Sequence, residues 1–182
     1  INQIAAGEVV DSPASILKEL IENSIDAKST IIKIHIYSGG KNKIIIKDNG
    51  IGIDSDNLDL AFERFATSKI STIDDLENIN TLGFRGEALP SIASVSKFKI
   101  SSIYNNQEGN ELLIDTGMKK SVKPSNIAQG TEITVKDLFY KLPARKKFLK
   151  SDTYEYKKCL NVFKRYIISN PTVNFILSHN DK

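Results

Sequence analysis

A single cysteine, Cys159, is the whole thiol content of this 182-residue sequence. One thiol cannot build an intramolecular disulfide framework, and such sparing use of cysteine is expected of a protein kept in a reducing compartment. Long apolar runs are missing as well. The longest, such as Ile44 to Ile46, fall far short of the ~20 residues a membrane-spanning helix needs, and the first residues show no basic segment followed by an apolar one. A soluble intracellular domain without a membrane partner is therefore expected. Several catalytic signatures are absent: there is no G-x-x-x-x-G-K-[S/T] phosphate loop, no G-x-S-x-G elbow and no Cys/His cluster at metal-ligand spacing. Internal repeats and low-complexity segments are also lacking. The two histidines, His35 and His179, fall in expected strands, where a structural or surface role fits better than a catalytic one, and neither is given a function.

What is present suits an ordinary globular domain. Hydrophobic residues make up 40% and charged residues 26%, inside the range of folded chains and outside that of disordered or fibrous ones. A chain of this length buries roughly 70% of its unfolded surface and needs no covalent staples. It begins at Ile1 rather than at methionine and runs at once into patterned sequence, so a piece of a longer protein is expected. Net charge is +3, with a sharp asymmetry: residues 1–90 hold 9 basic and 14 acidic side chains, residues 91–182 hold 16 and 8. Lys141, Arg145, Lys146, Lys147, Lys150, Lys157, Lys158, Lys164 and Arg165 crowd one stretch. A phosphate-contacting surface and a merely solvated helix face both fit it, and its preference for lysine over arginine gives no support to base reading.

The pattern of apolar residues defines the elements. Ser12 followed by Pro13 is a helix start, and at about 100° per residue Ile16, Leu17, Leu20, Ile21 and Ile25 share one half of a helix that runs to about Ala27. Glu19, Glu22, Asn23 and Asp26 gather on the other half. Alternation from Thr30 to Tyr37, a turn at Ser38 to Asn42 and the isoleucine-rich stretch Lys43 to Lys47 read as a β-hairpin. Asp54 or Ser55 caps a second expected helix with Leu58, Ala61, Phe62 and Phe65 on its apolar side. Residues 66–86 read as a long mobile loop. A helix from Glu87 to Val95 is possible with Pro90 in its first turn. Strands follow near 97–104, 111–115 and 131–137, then a short basic helix after Pro143, a long helix from about Asp152 to Ile168, and a strand from Thr172 to Ser178. The expected fold is α/β: a two-layer sandwich with helices on one face of a mixed, largely antiparallel sheet.

Four polar clusters stand out, each ambiguous alone. Glu19 and Asn23 lie four apart and project side by side from one helix face. Asp48 with Gly50 and Gly52 forms D-x-G-x-G, which by itself is often only a turn. Thr67-Ser68-Lys69 precedes Gly83-Phe84-Arg85-Gly86-Glu87-Ala88-Leu89, a glycine-rich segment entering a helix whose backbone amides suit a phosphate. Gly130-Thr131 opens a strand.

In this order the four clusters resemble the nucleotide-binding motifs of the ATPase superfamily that includes DNA gyrase B, the large heat-shock chaperone, histidine kinases and MutL. The segments N-Q-I-A-A-G-E-V-V, K-E-L-I-E-N-S-I-D-A, A-T-S-K-I, L-G-F-R-G-E-A-L, D-L-F-Y-K-L-P-A-R-K-K-F-L and L-S-H-N are most similar to the N-terminal ATPase region of the MutL family of DNA mismatch repair proteins. The resemblance spans essentially all 182 residues and implies the Bergerat-type ATP-binding fold.

It also implies roles. Glu19 is the general base that activates water; Asn23 ligates Mg²⁺; Asp48 accepts from the adenine amino group of ATP, with Gly50 and Gly52 letting backbone approach the base and Thr131 supporting the contact. Thr67, Ser68 and Lys69, with Gly83, Arg85, Gly86, Glu87, Ala88 and Leu89, form a lid over the triphosphate that orders on nucleotide binding. Partners implied are ATP, DNA bound largely without sequence preference, the mismatch-recognition protein MutS and a downstream nuclease or helicase. A short N-terminal arm, a second α/β subdomain whose lysine reaches the γ-phosphate, and a C-terminal dimerisation domain are expected outside residues 1–182, so ATP hydrolysis by these residues alone is expected to be slow or incomplete. A bacterial cytoplasmic homodimer is expected, with a nuclear heterodimer subunit as the alternative. Other readings are a gyrase-type ATPase, a histidine kinase, which does not activate water, and a nucleotide-gated DNA clamp without catalysis.

Overall fold

In the computed structural model, residues 10–54, 58, 62, 88–105 and 108–182 are described. Helix α1, Pro13–Asp26, begins as its sequence dictates: Ser12 Oγ accepts from the Ser15 amide at 3.3 Å, and Ser15 Oγ accepts from the Ser12 amide at 3.1 Å. This reciprocal cap satisfies two otherwise orphaned donors, and Pro13 supplies the first-turn position that has no amide to lose. Ile16, Leu17, Leu20 and Ile21 are fully buried, a gross gain of about 2 kcal/mol each. Strand β1 (Ile31–Tyr37) and strand β2 (Lys43–Asp48) pair antiparallel across a tight turn at Ser38–Gly40. Their isoleucines 32, 34, 36, 44 and 46 face the helical layer, a period-two alternation that leaves lysines on the opposite side.

Helix α2 (Ala88–Ser94) leads into β3 (Lys97–Ile103), β4 (Gly109–Asp115), β5 (Met118–Ser125) and β6 (Gly130–Lys136). Helix α3 (Pro143–Phe148), helix α4 (Asp152–Ser169) and β7 (Asn174–His179) complete the described elements. The seven strands lie in the order β5-β4-β3-β6-β2-β1-β7. All neighbours are antiparallel except β1 and β7, so the sheet is mixed and largely antiparallel, as expected. On the helical side, α1, α2 and α4 contribute Leu17, Ile92, Cys159 and Phe163 to one core with Phe98, Ile100, Ile133 and Val135 of the sheet. The other side carries a charge ladder across four strands: Lys47–Glu132 at 3.6 Å, Glu132–Lys99 at 3.9 Å and Lys99–Glu111 at 3.1 Å.

Two differences from the sequence reading, at β5 and at Glu22, have physical causes. Strand β5 falls where no strand is expected, because M-K-K-S-V-K-P-S has no buried alternation; it is an edge strand, exposed along most of its length, where Pro124 and lysines are tolerated. Of the helix expected from Glu87 to Val95, Ala88–Ser94 is helical and Glu87 lies outside the described residues. Glu22, sorted with the polar half of α1, is 6% exposed because α4 packs over it. Of the second expected helix, Leu58 is buried in the core and Phe62 meets Phe98 edge-on at 5.3 Å; Ala61 and Phe65, like the loop at 66–86, lie outside the described residues.

Candidate functional site

The end of β2 meets the end of α1, and the D-N-G-I-G segment is tied between them. Asp48 closes β2 at 7% exposure, opposite Thr131 of β6. Its Oδ2 accepts from Ser24 Oγ of α1 at 2.9 Å and its Oδ1 from the Gly50 amide at 2.9 Å. Burial pushes the Asp48 carboxyl above the usual carboxylate range, with those hydrogen bonds pulling back against it. A carboxylate so little hydrated gains much from a further donor. Asn49 turns outward, its Oδ1 accepting from the Thr30 and Ile31 amides at 2.9 and 2.8 Å. The Ile51 amide then donates to the Ala27 carbonyl, at the C-cap of α1, at 2.9 Å.

Both glycines of the motif are dictated by contact. A Cβ on Gly50 would stand 2.6 Å from the Ala27 carbonyl oxygen and 2.7 Å from Ser29 Oγ. Gly52 has φ +78°, and a side chain there would run into the Ile103 carbonyl. Beyond it the Ile53 amide donates to Ser102 Oγ at 2.8 Å, and that hydroxyl lies 2.9 Å from Thr131 Oγ1 and 3.2 Å from the Gly130 carbonyl. Gln129 Nε2 donates to the carbonyls of Gly50 and Ile51 at 3.3 and 3.0 Å. Asp48, Gly50 and Thr131 are thereby brought into one bonded cluster, with Gly52 packed against Ile103 beside it. Ser24, Ser102 and Gln129 belong to it too, and nothing in the spacing of isolated polar residues could have marked them.

Glu19 and Asn23 share a face of α1, one turn apart and both partly exposed. Lys18 Nζ donates to Glu19 Oε1 and Glu22 Oε2, each at 3.0 Å. Glu22 Oε1 in turn accepts from the Tyr166 hydroxyl of α4. Asn23 offers a neutral oxygen donor, the kind a hard cation prefers. Among the described residues no group of three or more His, Cys, Asp or Glu side chains is arranged to hold a metal. Ala88 and Leu89 open α2, with Leu89 partly buried against the core. Thr67, Ser68, Lys69, Gly83, Arg85, Gly86 and Glu87 lie outside the described residues. His35 bonds Ser178 at 2.6 Å and His179 stacks on Tyr156 at 3.8 Å, both in the structural roles expected of them. No helix among the described residues is long and apolar enough to cross a membrane.

A buried carboxylate at a strand end, a glycine-formed loop against a helix C-terminus, and a Glu/Asn pair on that same helix are thus carried by α1 and the end of β2. The sequence profile of the Histidine kinase-, DNA gyrase B-, and HSP90-like ATPase family matches residues 11–142, and the chain belongs to that family. Within it, the similarity is to MutL. The DNA mismatch repair protein MutL of Aquifex pyrophilus is 51% identical over 176 residues, covering 96% of this chain and 41% of the relative. That of Halothermothrix orenii is 50% identical over 182 residues, covering 100% of this chain and 28% of the relative. Among solved structures, the Aquifex aeolicus MutL ATPase domain complexed with ADP superposes with a TM-score of 0.75 at 37% identity, over 94% of this chain and 61% of that one. The N-terminal domain of a DNA repair protein superposes with a TM-score of 0.82 at 32% identity, over 98% and 51%. The chain thus spans well under half the length of these curated relatives.

Proposed function

We propose that this chain binds Mg-ATP and hydrolyses it as the N-terminal ATPase region of a DNA mismatch repair protein. The observation that carries the reading is the buried Asp48, bonded to the Gly50 amide and tied through Ser24 to the helix that carries Glu19 and Asn23. The ADP held by the Aquifex aeolicus domain supports it. Asp48 accepts from the adenine amino group; guanine presents a carbonyl there and would set two acceptors against each other. Thr131, braced by Ser102, supports that contact. Asn23 Oδ1 is the residue that would hold Mg²⁺, which supplies charge neutralisation at the phosphates. Glu19 takes a proton from water as the water oxygen bonds the γ-phosphorus; the bond from that phosphorus to the β–γ bridging oxygen breaks, the oxygen leaves as part of ADP, and inorganic phosphate is released. Thr67, Ser68, Lys69, Gly83, Arg85, Gly86, Glu87, Ala88 and Leu89 form the lid that orders over the triphosphate.

In this reading nucleotide binding drives N-terminal dimerisation and engagement of MutS, a repair nuclease or helicase, and DNA. The basic stretch supports the last of these, since Lys141, Lys146, Lys147, Lys150, Lys157, Lys158, Lys164 and Arg165 are all exposed. Salt-dependent binding of duplex DNA would bear this out, and no binding at low salt would move the DNA surface elsewhere. The setting proposed is the bacterial cytoplasm, with the nucleus as the alternative for a eukaryotic homologue. The deciding experiment is calorimetry with a non-hydrolysable ATP analogue, with and without Mg²⁺, on parent and Glu19→Ala proteins, followed by phosphate release with ATP. Magnesium-dependent binding by both and turnover by the parent alone is expected. Parent-rate turnover by Glu19→Ala would refute the assignment.

A further inference from the structure

We infer that Tyr166 and Lys18 are positioning residues for Glu19, acting through Glu22; the inference rests on the reading of Glu19 as the general base. The connection is continuous. The Tyr166 hydroxyl, on α4, donates to Glu22 Oε1; Lys18 Nζ binds Glu22 Oε2 at 3.0 Å; the same ammonium binds Glu19 Oε1 at 3.0 Å. Glu22 is buried at 6% exposure, and so close a carboxylate keeps its place only while its donors do. Held at both oxygens, it fixes the point from which Lys18 reaches Glu19.

Without Glu22, Lys18 has no anchor. A lysine carries four rotatable side-chain bonds and this one is half exposed, at 49%, so free it would sample many rotamers and swing Glu19 with it. Anchored, it engages one oxygen of Glu19. General-base catalysis needs a carboxylate oriented to within tenths of an ångström of the water it deprotonates, which is the service a bridge of this kind performs. Burial first, and then the Glu22 carboxylate, raise the Tyr166 hydroxyl above the ordinary tyrosine range. It therefore remains a protonated donor throughout neutral and mildly alkaline conditions. The charged or titratable groups in this chain of contacts are Lys18, Glu19 and Glu22 of α1 and Tyr166 of α4; Asp48 is engaged separately, through Ser24.

The device joins two elements 144 residues apart in sequence. Helix α4 thereby has a part in the chemistry of α1 that its packing alone would not give it.

The test is steady-state ATP turnover by the full chain carrying Tyr166→Phe, Lys18→Met, Lys18→Arg, Glu22→Gln, the Tyr166→Phe/Glu22→Gln pair, and Glu19→Ala as reference. Tyr166→Phe and Lys18→Met each lower kcat roughly tenfold, the worth of one charge-assisted hydrogen bond, with KM for ATP unchanged. Lys18→Arg restores most of the loss, since a guanidinium spans two carboxylates. The double variant falls no further than Glu22→Gln alone. Parent kcat in both Tyr166→Phe and Lys18→Met, with Glu19→Ala inactive, overturns this inference and leaves the general-base reading standing. Turnover by Glu19→Ala overturns both. If Tyr166→Phe loses its cooperative melting transition, Lys18→Met, on an exposed side chain, decides the matter by the same criterion.

Discussion

Replacing Asp48 by asparagine separates nucleotide recognition from folding. The carboxylate sits at 7% exposure with Oδ2 on Ser24 and Oδ1 on the Gly50 amide. Asparagine fits the same space but keeps one acceptor oxygen. The Gly50 amide can only donate, so the amide oxygen turns to it, and the NH₂ group faces Ser24, whose hydroxyl can reverse and accept. The fold therefore loses little. Burial holds the Asp48 carboxyl above its ordinary value, so the native state binds more protons than the unfolded chain between that ordinary value and the raised one. Parent stability accordingly falls as pH rises through that window, and the neutral side chain removes the slope. At neutral pH the variant melts no lower than the parent. Binding is another matter: losing an ionised acceptor for the adenine amino group costs about 1.5–3 kcal/mol, or about 10- to 150-fold in Kd. The NH₂ group also offers a donor to the carbonyl of guanine, so ATP/GTP discrimination narrows. Calorimetry with non-hydrolysable analogues of both nucleotides, alongside thermal melts at several pH values, measures each quantity. An unchanged Kd for the ATP analogue in a folded variant would refute the assignment of Asp48 to the base.

Ser24→Ala removes one of the two bonds to the buried carboxylate and should cost about 1–3 kcal/mol in a urea melt, with no loss of the helix, since Ser24 caps nothing. Gly52→Ala forces a side chain onto φ +78° and into the Ile103 carbonyl; at least about 2 kcal/mol of destabilisation, a Tm lower by about 4–8 °C, is expected in calorimetric scans. Cys159 is buried, and burial with the nearby Glu155 charge pushes its thiol up to about 12. Thiol reagents at neutral pH should therefore label it only as fast as the fold opens, and labelling of the native protein at the rate of a free thiol would contradict its packing.

Much of this architecture is written locally. The Ser12-Pro13 start of α1, the isoleucine alternation of β1 and β2 and the glycine turn between them obey rules that operate within a few residues. So does D-x-G-x-G, because both glycines answer to contacts at the strand end itself. Long-range pairing is another matter. The parallel placement of β7 beside β1, and the pairing of β6 with β2, depend on contacts more than 80 residues apart that no local pattern encodes. Edge strand β5 escapes notice for the opposite reason: having little to bury, it shows no periodicity. Glu22 belongs to the first group by pattern and to the second by fate, for only the arrival of Tyr166 turns a solvent-facing position into a buried one.

Ser24 shows how few contacts suffice to orient the site. Its hydroxyl points at Asp48, which fixes the rotation of α1 about its own axis relative to β2. The preceding residue, Asn23, must then project about 100° away, and Glu19, one turn earlier, must lie on the same side as Asn23. Rotation of the helix by one residue would carry Glu19 and Asn23 off that face while breaking the Ser24–Asp48 bond and exposing part of Ile16, Leu17, Leu20 and Ile21. The cost of that exposure, several kcal/mol at about 2 kcal/mol per side chain, holds Glu19 and Asn23 in register with Asp48. The core of α1 is thus also what aligns its polar face, and cavity-forming substitutions such as Leu20→Ala should loosen nucleotide binding even where the protein remains folded.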